Sequence, residues 1–378
     1  MHGNLVEKET GMNYPHLHTP LTIGPLQLAN RLVMPPLVIF KAAEDGGVTP
    51  LNREHYAESG GAGYVVVEAT AVSPEGRLAQ KQLGISEDRH VDGLADLARI
   101  IREGGGRPGI QLHHAGARTA MKNTFGLPLV APSAVPTPEG EMPLELDEEG
   151  IRRIVGTFAA AARRARQAGF EALEVHAAHG YLVNQFLSTL ANKRTDMWGG
   201  SLENRARFLR AVLTAVRKEA GSGLLTYCRM AGADGGEGGL TTTEGLQVAR
   251  WLKEDGVPLL HLSHGVGALT KLAPDGSRWS DRMHLAIAVK KEVGIPVIGV
   301  GDILDPSMAE ALIAEDLVDL VAVGRGILAD PGWARKALAG RAEEIVPCRH
   351  CPRCNWFKNS ERCPARLERK RGTAGAAG

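Results

Sequence analysis

The chain has 378 residues and a formal net charge of +1, with 43% apolar and 23% charged residues. These values are typical of a globular protein with a sizeable core, and the near-zero charge gives no reason to expect a nucleic-acid partner. No apolar run approaches the ~18 residues of a membrane span, and the polar N-terminus lacks the apolar core of a signal peptide. The sequence therefore predicts a cytoplasmic protein with neither nucleic-acid nor membrane partners.

Eight short apolar runs recur along the chain, and each is apolar nearly throughout, as in a parallel strand that is buried on both faces. They cover residues 31–37, 63–70, 108–114, 172–179, 224–230, 259–265, 296–301 and 320–326. Between them lie stretches with apolar residues at helical spacing, for example 148–168, 203–220, 242–255 and 281–293. Eight strand–helix units over about 300 residues predict an α/β fold, the (β/α)8 TIM barrel, with an open doubly wound sheet as the main alternative.

Two flanking segments complete the predicted architecture. A strand-like stretch at 18–30 precedes the first barrel strand and is expected to plug or flank the barrel. Residues 1–345 are predicted to form the barrel, and residues 346–378 a short Cys-rich extension. From residue 347 onward the extension has eight Lys/Arg against two Glu, hence a local charge of +6. Such a tail could bind an acidic partner protein, or it could be an ordinary solvated end.

One glycine-rich run is excluded as a cofactor motif. Residues 104–109, GGGRPG, fit the pattern G-x-G-x-x-G. The dinucleotide fingerprint requires a strand, a tight turn and a helix in that order, whereas this run precedes a strand. The run is therefore predicted to be a simple connection.

Several predicted strands end in polar or glycine-rich residues, as expected where a barrel gathers its chemistry. The richest of these ends begins with His176, His179 and Tyr181. If the strand turns there, the two imidazoles can converge and donate hydrogen bonds to one oxygen, which stabilises charge developing on it. A tyrosine close by can supply a proton. The sequence predicts that these three residues are catalytic.

The same region carries a family resemblance. The motifs are HAAHGYLVNQFLS and NKRTDMWGGSLENRARF, together with NRLVMPPL, VVVEATAVSPEGR, QLHHAG and VGRGILADP. Over roughly residues 18–340 the chain resembles the Old Yellow Enzyme family of FMN-dependent oxidoreductases. It is most similar to the bacterial branch that includes 2,4-dienoyl-CoA reductase and trimethylamine dehydrogenase, but lacks their C-terminal FAD and NAD domains.

The resemblance implies an FMN site at the strand ends. The residues expected to pass close to the flavin ring are Pro35, Pro36, Leu37, Val38 and Ala69. Gln111 would hydrogen-bond the pyrimidine edge, and Arg229 would place its charge near N1 and O2 and favour the anionic reduced flavin. Gly301, Gly324 and Arg325 would hold the phosphate, which barrels commonly bind after strands seven and eight.

The implied reaction has two halves. NAD(P)H passes a hydride to flavin N5, and an electron-poor alkene then binds with its carbonyl oxygen held by His176 and His179. N5 delivers hydride to the β-carbon, and Tyr181 protonates the α-carbon. Val38 stands where many relatives carry Thr or Cys, and Ala117 where the family often has Arg. These departures leave the reaction class in place and the substrate open.

Four of the five cysteines lie close together near the C-terminus. Cys348, Cys351, Cys354 and Cys363 have the spacing C-x2-C-x2-C-x8-C. A cytoplasmic chain disfavours disulfides, and structural zinc usually takes two separated pairs of ligands. Three thiols at two-residue gaps with a distant fourth favour a [4Fe–4S] cluster, which the relatives carry behind a similar motif. Zinc and an empty site are the alternatives, because the last gap is shorter than in those relatives.

Three functions follow from these features. The first is an NAD(P)H-linked, FMN-dependent reductase of activated C=C bonds in a small molecule. The second is a flavin-dependent amine dehydrogenase or demethylase that passes electrons through the cluster to a separate carrier protein. The third is a flavin-free barrel lyase or isomerase. A homo-oligomeric state is also expected.

Overall fold

Eight parallel strands close into a barrel in the computed structural model, which describes residues 13–375 except 268, 270, 353 and 358. In chain order the strands are β1 (Leu21–Ile23), β2 (Leu26–Leu28), β3 (Leu32–Met34), β4 (Tyr64–Ala71), β5 (Arg107–His113), β6 (Val130–Ala131), β7 (Leu144–Glu145), β8 (Ala172–Ala177), β9 (Leu225–Ala231), β10 (Leu260–Ser263), β11 (Val297–Val300) and β12 (Leu320–Ala322). Around the barrel the order is β3, β4, β5, β8, β9, β10, β11 and β12, with β12 paired to β3. Each barrel strand overlaps one predicted run. The TIM barrel is therefore confirmed, and the open sheet is wrong.

The helices surround the barrel. They are α1 (Pro50–Glu58), α2 (Val91–Glu103), α3 (Glu148–Gln167), α4 (Leu182–Leu187), α5 (Leu202–Ala220), α6 (Thr242–Glu254), α7 (Asp281–Val293), α8 (Pro306–Ala314), α9 (Arg325–Ala329), α10 (Trp333–Leu338) and α11 (Pro364–Gly375). The four predicted helices correspond to α3, α5, α6 and α7. Each begins where a side chain accepts a backbone N–H three residues ahead, and the capping residues are Asp147, Ser201, Thr241 and Ser280. Among the described residues, no helix has the length and apolar character needed to cross a membrane.

The N-terminal segment flanks the amino ends of the barrel strands. Strands β1 and β2 pair as an antiparallel hairpin, and Leu26 and Leu28 are buried beneath it. Arg107, the first residue of β5, donates from Nε to the Gln27 carbonyl at 3.0 Å. The excluded glycine run follows the end of α2 and continues into the first three residues of β5, which is the reverse of the order that a dinucleotide site requires.

Two aromatic side chains meet inside the barrel toward the amino ends of its strands. The hydroxyl oxygens of Tyr64 and Tyr227 lie 2.9 Å apart, and both residues are fully buried. Gly109 makes room for this pair, since a Cβ at that position would lie 2.3 Å from the Tyr64 hydroxyl. A substitution there would force the pair apart. The space that remains for a ligand is therefore at the carboxyl ends of the strands.

The C-terminal tail packs on the barrel near those carboxyl ends. Its buried Trp356 contacts Ile39 and Leu328. The guanidinium of Arg366, on α11, lies 4.4 Å from the centroid of the Trp356 ring, and its Nε donates to the Leu328 carbonyl at 2.9 Å. The tail thus adjoins the loop after β3, where the sequence places ring-contacting residues of the cofactor site.

Candidate active site

A cavity of about 340 Å³ opens where the barrel strands end. The predicted site residues in its wall are Pro35, Leu37, His179, Arg229, Gly301, Gly324 and Arg325. Those outside the wall are Pro36, Val38, Ala69, Gln111, His176 and Tyr181. Ser263, at the end of β10, also lines the cavity and was not predicted. The residues in the wall come from six different strand ends, as is usual for a barrel enzyme.

The turn after β8 brings His176, His179 and Tyr181 together. His179 and Gly180 have left-handed backbone conformations, with φ of 59° and 74°, so the chain reverses directly after the strand. The His176 ring centroid lies 5.0 Å from that of His179 and 4.9 Å from that of Tyr181. A left-handed histidine is strained, and such strain is found where a site requires it. The turn thus places on one side three residues that a continuous strand would separate.

Hydrogen bonds link the two histidines into a relay. The Ala178 N–H donates to His176 Nδ1 at 3.3 Å, which leaves the proton of a neutral His176 on Nε2. His176 Nε2 can then donate to His179 Nδ1 at 3.2 Å, and His179 Nε2 to Ser263 Oγ at 2.7 Å. Burial lowers the pKa of both histidines well below the ordinary value, so both are neutral near neutral pH.

The relay differs from the arrangement expected from the sequence, in which both rings donate to one substrate oxygen. The His176 N–H donates to His179 and is not available to a substrate. The outer end of the relay is the Ser263 hydroxyl in the cavity wall. Two simultaneous donors would require the bond between the rings to open.

Tyr181 is held as a proton donor. Its ring meets the His113 ring edge-on, with centroids 4.4 Å apart. Burial raises the pKa of Tyr181, and the opposing effects of Arg118 and Arg229 do not cancel the increase. The guanidinium carbon of Arg118 lies 5.8 Å from the ring centroid of Tyr181, so a positive charge is close to the phenol. Tyr181 therefore keeps its proton at neutral pH, and Arg118 can stabilise the phenolate that a transfer leaves.

Below the cavity, Gln111 is bonded to a buried carboxylate. Its Nε2 donates to Glu174 Oε1 at 2.6 Å, and His261 Nδ1 donates to Glu174 Oε2 at 2.7 Å. Arg229, on the neighbouring strand, is largely buried, and its Nε has no hydrogen-bond partner among the described residues. A buried donor without a partner points to a ligand that would accept from it.

The far end of the cavity is positively charged. Gly301, Gly324 and Arg325 line it, as does the unpredicted Arg282. Asp302 pairs with Arg325 and accepts from Arg282 Nη2 at 3.2 Å. Two guanidinium groups against one carboxylate leave a net positive charge, which suits a phosphate group.

These features fit FMN. The cavity offers apolar surface from Pro35 and Leu37 for a flat ring, the unpartnered Arg229 Nε for a polar ring edge, and a cationic end for a phosphate.

The tail cysteines lie beside this cavity without forming a metal site. Cys348 lines the cavity, whereas Cys354 and Cys363 pack against Trp356. They and Cys351 are free, half-buried thiols. In the described part of the chain, no group of three or more His, Cys, Asp or Glu side chains is arranged to hold a metal ion. The predicted cluster ligands are thus close in sequence but do not converge.

The fifth cysteine should be chemically inert. Cys228 is fully buried in β9, and burial, with the nearby Glu174 charge, raises its thiol pKa far above the ordinary value. Because the thiolate is the reactive form, a thiol-specific chromogenic reagent should modify the four tail cysteines of metal-free native protein and reach Cys228 only on unfolding. Rapid labelling of Cys228 in the native protein, identified by peptide mapping, would contradict this.

The barrel and the cavity together define a class of proteins, the barrel flavoproteins. Residues 16–344 match the profile of the NADH:flavin oxidoreductase / NADH oxidase family, and the chain belongs to that family. The resemblance to the Old Yellow Enzyme family is therefore confirmed, as is an NAD(P)H-linked FMN oxidoreductase class. The flavin-free lyase or isomerase is disfavoured.

Individual relatives agree with the family assignment. The chain is 40% identical over 345 residues to the NADH oxidase of Thermoanaerobacter brockii, covering 90% of this chain and 53% of that protein. It is 39% identical over 335 residues to the NADPH dehydrogenase of Bacillus subtilis strain 168, covering 87% and 96%. The solved structure of morphinone reductase in complex with tetrahydroNAD superposes with a TM-score of 0.72 at 30% identity, covering 87% and 92%. The chain thus spans about half of the first relative and nearly all of the other two proteins.

Proposed function

We propose that the protein reduces activated C=C bonds, such as those of α,β-unsaturated carbonyl compounds, with NAD(P)H as donor and FMN as cofactor. The observation that carries this proposal is the grouping of Tyr181 with the relay of His176, His179 and Ser263, of which His179 and Ser263 line a cavity suited to FMN. Such an arrangement offers one small substrate both a hydrogen-bond donor for its carbonyl oxygen and a proton donor for its carbon.

Bound FMN would accept a hydride from the nicotinamide and supply it to the alkene. Pro35 and Leu37 provide the apolar surface for its ring, and Arg229 the donor for its pyrimidine edge. Arg282 and Arg325 would neutralise the phosphate, with Asp302 holding the two side chains in place. The contacts of Pro36, Val38 and Ala69 with the ring stay predictions from the sequence.

The substrate would be polarised and protonated by this chain's own side chains. The Ser263 hydroxyl, or His179 Nε2 after it leaves Ser263, would donate to the carbonyl oxygen and draw electron density from the double bond. Tyr181 would then deliver its proton to the α-carbon. Arg118 would stabilise the phenolate until solvent returns a proton.

The proposal is tested with purified protein and 2-cyclohexenone. The protein should release FMN on denaturation, and under anaerobic conditions it should oxidise more than one equivalent of NADPH or NADH per flavin only when the enone is present. Gas chromatography should find cyclohexanone in an amount equal to the nicotinamide consumed, and cyclohexanone offered as substrate should give no oxidation. Unchanged enone in the presence of FMN-loaded protein and a nicotinamide would contradict the proposal.

We propose as a second candidate that Cys348, Cys351, Cys354 and Cys363 bind a [4Fe–4S] cluster, with zinc as the alternative. The supporting observation is that Cys348 lines the same cavity as Arg229, so a metal centre in the tail would lie beside the flavin. It favours the second predicted function, in which an amine is oxidised and electrons leave to a carrier protein. Because the four thiols do not converge, binding would require the tail to rearrange, and no step above depends on it.

Metal analysis after anaerobic purification tests the tail. About four iron and four sulfide per chain would support the cluster, and about one zinc ion without sulfide would support the alternative. A Cys351→Ser variant should lose most of either metal, whereas Cys228→Ser should keep it. Metal-free wild-type protein after reconstitution with iron and sulfide, or with zinc, would contradict both. A cytoplasmic location and a homo-oligomeric state stay predictions from the sequence.

A further inference from the structure

Glu174 is a buried carboxylate in the middle of the barrel that the proposed reaction does not use. It lies on β8 and is paired in register with Gln111 on β5 and with Tyr227 on β9. Its relative exposure is 0%, and both of its oxygens accept short hydrogen bonds, from Gln111 Nε2 at 2.6 Å and from His261 Nδ1 at 2.7 Å. The Tyr227 hydroxyl is a further partner.

The surroundings of Glu174 keep it ionised. Burial by itself raises the pKa of this carboxyl, but the charge and hydrogen bond of His261, the charge of Arg229 and the hydrogen bond of Tyr227 together hold it below the ordinary value. Burying a charge costs several kcal/mol after relaxation, and well-packed apolar side chains of similar volume are often at least as stabilising. A carboxylate at this position therefore needs a reason beyond packing.

Gln111 and Arg229 suggest the reason. Because the Gln111 amide nitrogen donates to Glu174, the amide orientation is fixed and its carbonyl oxygen is left for a ligand donor. Arg229 lies on the strand beside that of Glu174, and the negative charge of Glu174 opposes the lowering of the Arg229 pKa by burial.

We propose that Glu174 is a positioning residue for the pyrimidine edge of the cofactor. It presents the carbonyl end of Gln111 to an N–H of the ligand, beside Arg229, whose guanidinium would meet the ring oxygens. A polar ring edge with an alternating acceptor and donor pattern, such as the imide of a flavin, matches this pair. The inference rests on the proposed FMN site and extends it to a residue that does not touch the cofactor.

A Glu174→Gln variant tests this inference because it keeps the shape and removes the charge. In the variant, an amide replaces the acceptor, so Gln111 can turn its own oxygen toward residue 174. We expect FMN to bind the apoprotein about tenfold more weakly, as for the loss of one hydrogen bond, when measured by quenching of FMN fluorescence. The midpoint potential of the bound flavin should become more positive, since a negative charge near the pyrimidine edge has been removed.

The controls separate this role from a structural one. Glu171→Gln removes the carboxylate of the residue directly before β8, which pairs with Arg102 and Arg107. This control should leave the FMN affinity and the midpoint potential unchanged. If Glu174 acts through Gln111, the Gln111→Ala substitution should reduce FMN affinity much less in the Glu174→Gln background than in the wild type. The two effects should therefore be non-additive. If Glu174→Gln does not fold, His261→Leu, which removes one donor to the carboxylate, should still weaken FMN binding.

The outcomes distinguish this inference from the proposed function. Wild-type affinity and an unchanged potential in Glu174→Gln, or in His261→Leu where that variant is used, would overturn the role of Glu174 while FMN binding by the wild type stands. Fully additive losses in Gln111→Ala and Glu174→Gln would also overturn it. A wild-type apoprotein that does not bind FMN would instead overturn the proposed function.

Discussion

Replacing Tyr181 with phenylalanine is expected to slow alkene reduction about 10²–10⁴-fold, the usual contribution of a positioned proton donor. The reduction of bound FMN by NADPH should keep nearly its wild-type rate, because that half of the reaction takes no proton from the phenol. The phenylalanine ring preserves the edge-on packing against His113 and His176, so the site should keep its shape. Anaerobic stopped-flow spectroscopy measures the two halves separately.

Arg118 provides the companion variant. Arg118→Leu removes the positive charge beside the phenol and leaves Tyr181 in place. It should also slow alkene reduction selectively, but less than Tyr181→Phe, because the proton itself remains. Equal losses in both half-reactions for Tyr181→Phe would show that the residue has a structural role and would count against proton donation.

Acidification is expected to destabilise the fold strongly. Burial lowers the pKa of His55 and His113 to about 3, against an ordinary value of 6.5. Above its unfolded-state pKa such a histidine is neutral in both states, and the full stability of the fold is present. As pH falls from the unfolded-state pKa toward the folded-state pKa, only the unfolded state binds the proton, so the free energy of unfolding decreases. At about pH 5 each of these two residues should lower the free energy of unfolding by about 2 kcal/mol, which is large beside a total stability of roughly 5–15 kcal/mol.

Urea denaturation in saturating FMN measures this effect at about pH 7.5 and about pH 5. His55 offers a matched test because it lies on α1, against Trp356, rather than at the chemical site. His55→Gln should reduce the loss of unfolding free energy between the two pH values by about 2 kcal/mol. The same loss in wild type and variant would show that His55 is not buried as a neutral ring.

The barrel could be predicted because its signals are local. Eight near-continuous apolar runs and the helical periods between them depend on neighbouring residues alone, and the caps at Asp147, Ser201, Thr241 and Ser280 reinforce the helix starts. The grouping of His176, His179 and Tyr181 could also be anticipated, since a turn after the strand is the simplest way to bring them together.

The contacts between strands could not be predicted in the same way. Ser263 ends the histidine relay from β10, and Glu174 binds Gln111 from the next strand around the barrel. Both contacts depend on the register and curvature of the closed barrel, which no single segment encodes. Asp302 illustrates the same limit, because its two arginine partners come from α7 and α9.

The most direct test of the account follows the hydrogens in a single reaction. NADPH deuterated at its transferable position is incubated anaerobically with the FMN-loaded protein and 2-cyclohexenone, and a parallel reaction uses unlabelled NADPH in deuterated water. The account predicts deuterium from the nicotinamide at the β-carbon of cyclohexanone, and solvent deuterium at the α-carbon, delivered through Tyr181. Cyclohexanone without nicotinamide deuterium at the β-carbon, or no reduction of the enone, would contradict it.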